Sequence, residues 1–253
     1  MRGYQPESYG ERIAGLYDEW YADLPDIEAC VERLAELAGF GPILELGVGT
    51  GRLALPLAER GLEVHGVDNS RAMLEELAAK PGGGRIHATV GDFAELDAGI
   101  GKNAAFTLVF VAINTLFMLP TQEQQVRCFQ TVAPRLAAGG LFVVEAFVPD
   151  PARYRGGLRD GGQELRVHQL SSDALVISAT LHDPVAQQLQ MQQVLLRADR
   201  IHLVPSVVRY AWPAELDLMA RLAGLRLRER WGGWRREPFG AASRSHVSLY
   251  ERA

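Results

Sequence analysis

A short apolar segment followed by three closely spaced glycines restricts the fold of this chain more than any other feature. Residues 42–46 read Pro-Ile-Leu-Glu-Leu, and Gly47, Gly49 and Gly51 follow with a single residue between neighbours. The apolar run predicts a buried strand, and glycines after a strand let the backbone approach a ligand closely. In parallel α/β sheets such turns lie at the carboxyl ends of strands, where ligands bind. We therefore expect an α/β fold with a binding site at this turn.

The alternation of predicted helices and strands supports this fold class. Helical patterns extend over residues 26–38, 53–60, 70–79 and 121–137. Apolar runs typical of buried strands extend over residues 62–67, 85–90, 106–112 and 141–148. After Pro149 the residues alternate between apolar and polar, which indicates antiparallel strands with one solvated face. We predict a doubly wound, mostly parallel sheet with an inserted antiparallel β-sheet.

Composition argues against several other classes of protein. Of 253 residues, 47% are apolar, and 26 basic against 31 acidic side chains give a formal net charge of −5. Proteins that bind nucleic acid or anionic membranes usually carry a basic excess, so neither partner is expected. The longest apolar stretch, about residues 106–119, is interrupted by Asn114 and is too short to cross a bilayer. Because the N-terminus also lacks the apolar core of a signal peptide, we expect a soluble, cytoplasmic protein.

The spacing of the glycines distinguishes between nucleotide-binding loops. A phosphate-binding loop would need Gly-Lys followed by Ser or Thr, and the dinucleotide fingerprint GxGxxG would need glycine where the chain has Arg52. The spacing found is GxGxG, with Glu45 two residues before the first glycine. This pattern resembles motif I of the class I S-adenosylmethionine (SAM) dependent methyltransferases. A nicotinamide-dependent dehydrogenase is the alternative of related fold, although the chain also lacks a Tyr-x-x-x-Lys pair.

The resemblance continues in register along residues 41–149. Asp68 ends the second strand, where the family has an acid that binds both ribose hydroxyls, and Asp92 follows the third, where an acid lies near the adenine amino group. A purely structural role as strand caps would leave the cluster of glycines and acids unexplained. The family implies SAM as cofactor and S-adenosylhomocysteine as product. The cofactor-binding residues that it implies are Glu45, Gly47, Gly49, Gly51, Asp68, Asn69, Asp92, Phe93 and Ala112.

The same resemblance gives a meaning to the segments outside this core. We predict a single Rossmann-like methyltransferase domain over residues 1–253. Its parts are an N-terminal helical lid (1–40), a SAM-binding core (41–149), an inserted antiparallel sheet (150–212) and a closing helix with strands (213–253). In small-molecule methyltransferases such an N-terminal segment folds over SAM, where aromatic rings shield the sulfonium. The candidate lid residues are Tyr9, Tyr17, Trp20 and Tyr21. A helix that these aromatics only pin to the core is an equally open alternative.

Candidate catalytic and acceptor-binding residues lie at strand ends. Glu145 is the carboxylate best suited to act as a base or ammonium partner, and His182 is a second candidate. The contacts expected at the edge of the acceptor pocket are Asn114, Phe147, Arg209 and Tyr210. The six histidines lack the spacing of metal ligands, so no metal is expected, and His65 and His87 are interpreted as structural residues of core strands.

The sequence favours a small-molecule acceptor over a nucleic acid. The Asn/Asp-Pro-Pro-aromatic element of DNA amino-methylating enzymes is absent after the fourth strand, and so is the Pro-Cys nucleophile of cytosine C5 enzymes. Arginines interleaved with tryptophan at 226–236 can bind a nucleic-acid backbone, but a strand with solvated charges is favoured. The architecture is similar to N-methyltransferases of amino sugars in natural-product pathways. We expect N-methylation, slightly preferred over O- or C-methylation, and a homodimer formed through the inserted sheet. A SAM-binding protein without transfer activity is the alternative.

Overall fold

The computed structural model describes residues 1–22, 24–96, 100, 105–150 and 163–253. Its α-helices are α1 Ser8–Trp20, α2 Ile27–Ala38, α3 Ala54–Glu59, α4 Arg71–Ala79, α5 Gln122–Val132 and α6 Pro213–Leu222. Its strands are β1 Ile43–Leu46, β2 Val64–Asp68, β3 His87–Val90, β4 Phe106–Val111, β5 Leu136–Phe147, β6 Gln163–Leu170, β7 Ala174–Asp183, β8 Gln188–Arg197, β9 Arg200–Arg209, β10 Leu225–Trp231 and β11 Ser245–Arg252. Residues 151–162, which the sequence assigns to the inserted sheet, lie outside the described residues. Among the described residues, none of the helices has the length and apolarity needed to span a membrane.

Seven strands form the main sheet in the order β10-β11-β5-β4-β1-β2-β3. Strands β1 to β5 pair in parallel, whereas β11 pairs antiparallel with both β5 and β10. Helices α2 and α3 pack on one face through Leu34 and Leu57, and α5 and α6 pack on the other through Phe129 and Leu216. The predicted doubly wound, mostly parallel α/β fold is therefore confirmed.

The glycine turn lies where the strand order reverses. From β1 the chain continues to β2 and β3 on one side of the sheet, and later to β4 and β5 on the other side. All four residues of β1 are buried, and the strand leads directly into Gly47. Ligands of open α/β sheets bind in the crevice outside the carboxyl ends of the strands at this reversal. The topology thus places the predicted turn at the expected binding edge.

The second sheet is antiparallel, with the strand order β6-β7-β8-β9. Val204 of β9 packs against Ile13 of α1 and Met73 of α4, and Leu189 of β8 joins the core of the main sheet. The predicted inserted antiparallel sheet is confirmed, and it is attached to both α1 and the α/β core. The division of the chain into one domain with four segments stays a prediction.

The segment between α5 and β5 differs from the sequence-based prediction. A helix was expected over 121–137, but α5 ends at Val132 and a 3₁₀ turn covers Ala133–Arg135. Pro134 has no N–H for the helical ladder, so it ends the α-helix there. Gly139, with φ of 74°, then lies within β5 instead of closing the helix.

The arginine-rich stretch at 226–236 contains β10 and the turn after it. Leu225 and Trp231 are buried as expected, whereas Leu227 is exposed beside a bulge in the pairing with β11. Its arginines form ion pairs within the chain: Arg226 and Arg228 with Glu251, Arg230 with Asp217, Arg235 with Asp26, and Arg236 with Glu36. The charges of this stretch therefore contact acidic side chains of the protein itself.

Candidate active site

The three glycines of the turn have different structural roles. Gly47, Gly49 and Gly51 have φ angles of 74°, 53° and 82°, a region that residues with a side chain rarely adopt. A Cβ at Gly47 would lie 2.3 Å from Thr115 Cγ2, and one at Gly51 would lie 2.3 Å from Leu77 Cδ1. A Cβ at Gly49 would meet no atom within 4 Å. Gly47 and Gly49 line a pocket above the turn, whereas Gly51 lets the turn pack on α4 and is not part of that wall.

Asp68 ties the glycine turn to the end of β2. Its Oδ2 accepts a hydrogen bond of 2.9 Å from Gly49 N, and its Oδ1 accepts one of 2.9 Å from Ser70 N. Burial raises the pKa of Asp68, and the two backbone hydrogen bonds oppose that shift. Asp68 and the neighbouring Asn69 both line the pocket, as the sequence predicted.

Glu45 lies beneath the turn and not in the pocket wall. Its side chain is buried and accepts a hydrogen bond from the backbone of Ala54, at the start of α3. Burial, with the charge of Asp68 nearby, raises the pKa of Glu45 well above its usual range. In the described part of the chain its Oε2 has no hydrogen-bond partner. A buried carboxylate without a full set of partners is costly, and the raised pKa shows that burial favours the neutral, protonated form of this side chain.

The opposite wall of the pocket follows β3. Asp92 and Phe93 both line the pocket. Asp92 is exposed, and its Oδ1 accepts a hydrogen bond of 2.8 Å from Ala94 N, which fixes the turn. Phe93 is buried, and its ring lies beside the position that a Cβ of Gly47 would take. An apolar ring next to an exposed carboxylate is suited to a flat base that carries an amino group.

Three tyrosines of α1 and its end lie together over the pocket. Tyr9 Oη donates to Tyr21 Oη at 3.2 Å, and the rings of Tyr17 and Tyr21 are 4.9 Å apart. The guanidinium of Arg52 lies 5.1 Å from the centre of the Tyr17 ring. Burial raises the pKa of Tyr17 to about 12, so the phenol stays protonated. Trp20 packs in the same apolar cluster of α1, α4 and β9 as the tyrosines but does not line the pocket, which corrects the expectation that it lines the site.

Helix α1 is fastened to the glycine turn and to α4 by two carboxylates. Asp18 Oδ1 accepts a hydrogen bond of 2.8 Å from Thr50 Oγ1, and Asp18 Oδ2 pairs with Lys80 Nζ at 2.5 Å. Glu11 Oε1 accepts one of 2.8 Å from Ser70 Oγ, the N-cap of α4. These contacts add to the apolar packing between α1, α4 and β9 in holding the tyrosines over the pocket.

A second pocket lies between the core and the antiparallel sheet. Helix α1 and its end contribute Tyr9 and Tyr21 to its wall, and the core contributes Asn114, Met118 and Phe147. The polar residues that the sheet contributes are Glu164, Arg166, His168, Ser178, Thr180, Gln193 and Ser206. This pocket and the one at the glycine turn share Tyr9 and Met118. The two pockets are thus adjacent, and the wall between them is thin.

Sequence reasoning missed most of the polar wall of this second pocket. Glu164 and Arg166 form an ion pair at 2.8 Å, and His168 Nε2 lies 2.8 Å from Ser178 Oγ. All three residues of β6 occupy even positions of a strand, so they share one face. The alternation of polar and apolar residues along β6 can be seen in the sequence. It does not tell which face of the strand meets the core, because that depends on how the sheet docks.

Glu145 does not line either of these pockets. It lies in a separate cavity with Cys30 and Trp234, and its carboxylate accepts a hydrogen bond from Ile113 N. Burial raises the pKa of Glu145. Ile113 and Asn114 have φ angles of 54° and 62°, a strained region for a β-branched residue. This corrects the expectation that Glu145 faces the acceptor: the side chain supports the turn after β4 from behind.

The turn that Glu145 supports connects both pockets. Asn114 Oδ1 accepts a hydrogen bond of 2.7 Å from Phe147 N, and both residues line the second pocket as predicted. Thr115 N donates to the carbonyl of Ala112 at 3.1 Å, which leaves the second lone pair of that oxygen available, so the role of Ala112 in cofactor binding stays a prediction. Thr115 itself packs on Gly47.

The remaining candidates belong to a polar network at the end of β9, away from both pocket walls. The guanidinium of Arg209 is buried and donates to Gln125 Oε1 at 2.8 Å and to Glu215 Oε1 at 2.6 Å. His182 Nε2 lies 3.0 Å from Tyr210 Oη, and burial lowers the pKa of His182. The structure therefore corrects the prediction that Arg209, Tyr210 and His182 face the acceptor: Arg209 fixes the sheet to α5 and α6, and the polar groups of His182 and Tyr210 contact each other.

Comparisons with known proteins agree with this geometry. The family model described as "Methyltransferase domain" matches residues 43–140. The cypemycin N-terminal methyltransferase of a Streptomyces species is 31% identical over 211 residues, which covers 83% of this chain and 82% of that protein. The solved structure of the CcbJ methyltransferase from Streptomyces caelestis is 42% identical with a TM-score of 0.89, and covers 99% of this chain and 100% of that one.

A more distant structure shows how widely the fold is shared. An S-adenosylmethionine-dependent methyltransferase from Clostridium acetobutylicum is 16% identical with a TM-score of 0.75, over 95% of this chain and 98% of that one. Together with a GxGxG turn at the switch point and acids after β2 and β3, these matches identify the family. The chain belongs to the class I SAM-dependent methyltransferases and uses SAM as its cofactor.

Proposed function

We propose that this enzyme methylates an amine of a small natural product. The observation that carries the proposal is the adjacency of the two pockets, which share Tyr9 and Met118. A cofactor at the glycine turn and an acceptor under the antiparallel sheet would meet at this shared wall. The similar protein from Streptomyces named for N-terminal methylation of cypemycin supports nitrogen as the acceptor atom.

The residues present fit SAM. Gly47 and Gly49 provide close approach of the backbone at the pocket wall, and Glu45 beneath them supports the turn through its hydrogen bond with the backbone of Ala54. Asp68 and Asn69 would bind the ribose hydroxyls, and Asp92 and Phe93 would contact the adenine, as the resemblance implies. Gly51 would act through the packing of the turn on α4, and the carbonyl of Ala112 would face the amino group of the cofactor.

The chain contributes positioning and exclusion of water more than proton transfer. When bound, SAM supplies an electrophilic methyl group, and displacement requires the nucleophile in line with it. Tyr9 and Tyr17 would close the pocket around that group, and aromatic faces attract a cation. An amine reacts in its neutral form, so it needs no strong base. The proton that the amine releases can pass to the His168 imidazole or the Glu164 carboxylate, both of which line this pocket.

The acceptor pocket favours a polar ligand. Its sheet-side wall carries a carboxylate and a guanidinium that pair with each other, and three hydroxyl side chains. Its other side carries Phe147 and Met118. A small amine with several hydrogen-bonding groups and one apolar edge fits these walls. Location in the cytoplasm and a role in secondary metabolism remain part of this proposal.

The test begins with calorimetric titration of SAM, S-adenosylhomocysteine and NADH, followed by methyl-transfer assays with panels of amines and phenols. We expect both sulfur ligands to bind, NADH not to bind, and amines to be the acceptors. Binding without transfer to any acceptor would favour a SAM-binding protein, and transfer only to phenols would contradict N-methylation.

A pair of variants tests the acceptor pocket. Arg166→Gln should raise KM for the acceptor and leave SAM affinity unchanged, since Arg166 lines only the sheet-side pocket of the two. Arg200→Gln, in the β8–β9 hairpin of the same sheet, is the matched control and should change neither. Equal KM values for the two variants would remove this pocket from the proposal.

A further inference from the structure

Two histidines and a glutamate meet at the amino ends of β2 and β3, away from the glycine turn. His65 and His87 are register partners on these neighbouring parallel strands. Their rings stack with centroids 4.7 Å apart and an angle of 29°. Glu63 lies two residues before His65, and its Oε1 is 2.9 Å from His65 Nε2. One donor atom from each of the three residues lies within 4.8 Å of the other two.

This donor set matches the chemistry of a transition-metal site. Imidazole nitrogen and carboxylate oxygen are ligands that Zn²⁺ and its neighbours prefer. In a tetrahedral site with bonds of about 2.05 Å the donors are about 3.3 Å apart. The present separations of up to 4.8 Å reach that value through small side-chain rotations. Glu63 and His87 are exposed, so their side chains can rotate without displacing buried atoms.

The backbone already supplies the rigidity that such a site needs. Both histidines are on paired strands, and the edge of the Phe106 ring packs on His65 with centroids 5.2 Å apart. Three protein ligands leave one position for water, as in zinc sites with an open coordination place. Spacing along the chain does not reveal this group, because its donors come together from two neighbouring strands.

We propose that Glu63, His65 and His87 bind a divalent transition-metal ion of the Zn²⁺ type. His65 precedes Asp68 by three residues of β2, about 10 Å along the strand. The ion therefore lies apart from the methyl-transfer pocket, and the proposal does not depend on the acceptor. It joins edge strand β3 to β2, and β3 leads directly to Asp92 and Phe93 of the cofactor pocket. Its effect is to stabilise this edge of the sheet.

The test uses the full-length protein, freed of purification tags and of metal by a chelator. Zn²⁺ is titrated by calorimetry near neutral pH, and Co²⁺ is followed by its visible absorption, which reports tetrahedral ligands. We expect one saturable site per chain and a higher thermal unfolding midpoint with Zn²⁺. His87→Ala removes an exposed ligand and should weaken Zn²⁺ binding by at least about tenfold, since even indirect ligand partners contribute this much.

Matched variants separate this site from general surface binding. Glu63→Gln removes the carboxylate and should weaken binding, whereas Glu75→Gln on α4 removes an equally exposed charge and should not. Both variants should keep the affinity for SAM, which shows that they fold. The proposal is overturned if the wild type shows no saturable Zn²⁺ binding, or if His87→Ala binds Zn²⁺ as the wild type does.

Discussion

At the scale of single residues, Asp68 has two connected functions. Its carboxylate holds Gly49 N and Ser70 N, and it faces the pocket. Asp68→Ala should weaken SAM binding by about 1–3 kcal/mol, because it removes a charged acceptor from the ligand and from the turn. Calorimetry measures this change. Asp173→Asn, in the β6–β7 turn, is the control and should bind SAM as the wild type does; an unchanged affinity of Asp68→Ala would refute the cofactor site.

Glu145 shows how a residue at the site edge can act without touching substrate. Its carboxylate accepts from Ile113 N, in a backbone region that costs a β-branched residue about 1–2 kcal/mol. Glu145→Gln keeps an oxygen acceptor and should retain kcat/KM and its pH profile. Glu145→Leu removes the acceptor, so the turn relaxes and kcat/KM falls about tenfold, consistent with a loss of about 1.4 kcal/mol.

The pair of Glu145 variants distinguishes support from acid–base chemistry. If the carboxylate transferred protons, Glu145→Gln would lose most activity and the pH dependence of kcat/KM would change. If it supports the turn, only Glu145→Leu loses activity, and the same variant unfolds at lower urea concentration. Steady-state kinetics over a pH series, with urea titrations of both variants, provides both readouts.

At the scale of secondary structure, α1 contributes Tyr9 and Tyr17 to the wall of the pocket at the glycine turn, and we expect it to act as a lid. Its contact with the glycine turn depends on Asp18, which is half exposed and binds Thr50 and Lys80. An ion pair of this exposure contributes about 0.2–1 kcal/mol. Asp18→Asn should therefore speed SAM dissociation roughly two- to fivefold, while global stability changes little. Stopped-flow measurement of dissociation tests this; Glu32→Gln on α2 is the control, and equal rates in both variants would contradict a lid held by Asp18.

The same scale shows what the sequence could predict and what it could not. Apolar runs and the glycine turn predicted β1 and the acids after β2 and β3, because these signals are local in the chain. The predicted roles of Trp20 and Arg209 failed for a physical reason. Strand and helix patterns tell which residues share a face, but the direction of that face depends on docking. Trp20 packs in the apolar cluster between α1 and β9, and the Arg209 guanidinium donates to Gln125 of α5 and Glu215 of α6.

At the scale of the whole molecule, part of the outer face of the antiparallel sheet is exposed among the described residues. Strand alternation places apolar side chains opposite the pocket face, and those exposed there are Leu165, Val167, Leu181, Ile201 and Leu203. Apolar groups of this extent usually mark an interface. We expect the homodimer that the resemblance implies to form through this face. Val167→Asp should then convert the dimer to a monomer, as measured by light scattering. Leu218→Asp, at an exposed position of α6, should leave the dimer intact. A monomeric wild type would contradict the expectation.

The stability of the whole fold should also depend on pH through His246 of β11. This side chain is fully buried, and its Nδ1 lies 2.8 Å from Ser248 Oγ. Burial, helped by the Arg230 guanidinium, lowers the pKa of His246 to about 3. The unfolded chain takes up a proton near pH 6.5, but the folded chain does not until near pH 3, so stability falls as pH decreases through this window.

The difference between the wild type and His246→Asn isolates this contribution. Because His246 stays neutral in the folded chain, lowering the pH from about 8 to about 5 should reduce the free energy of unfolding of the wild type by roughly 2 kcal/mol. Asn keeps a hydrogen-bonding group for Ser248 and does not titrate. Buried carboxyls with raised pKa, such as Glu45 and Asp68, shift stability in the opposite direction but are common to both proteins. Urea unfolding at both pH values should therefore show a smaller acid-induced loss in the variant, and equal losses would mean that His246 does not titrate as its burial requires.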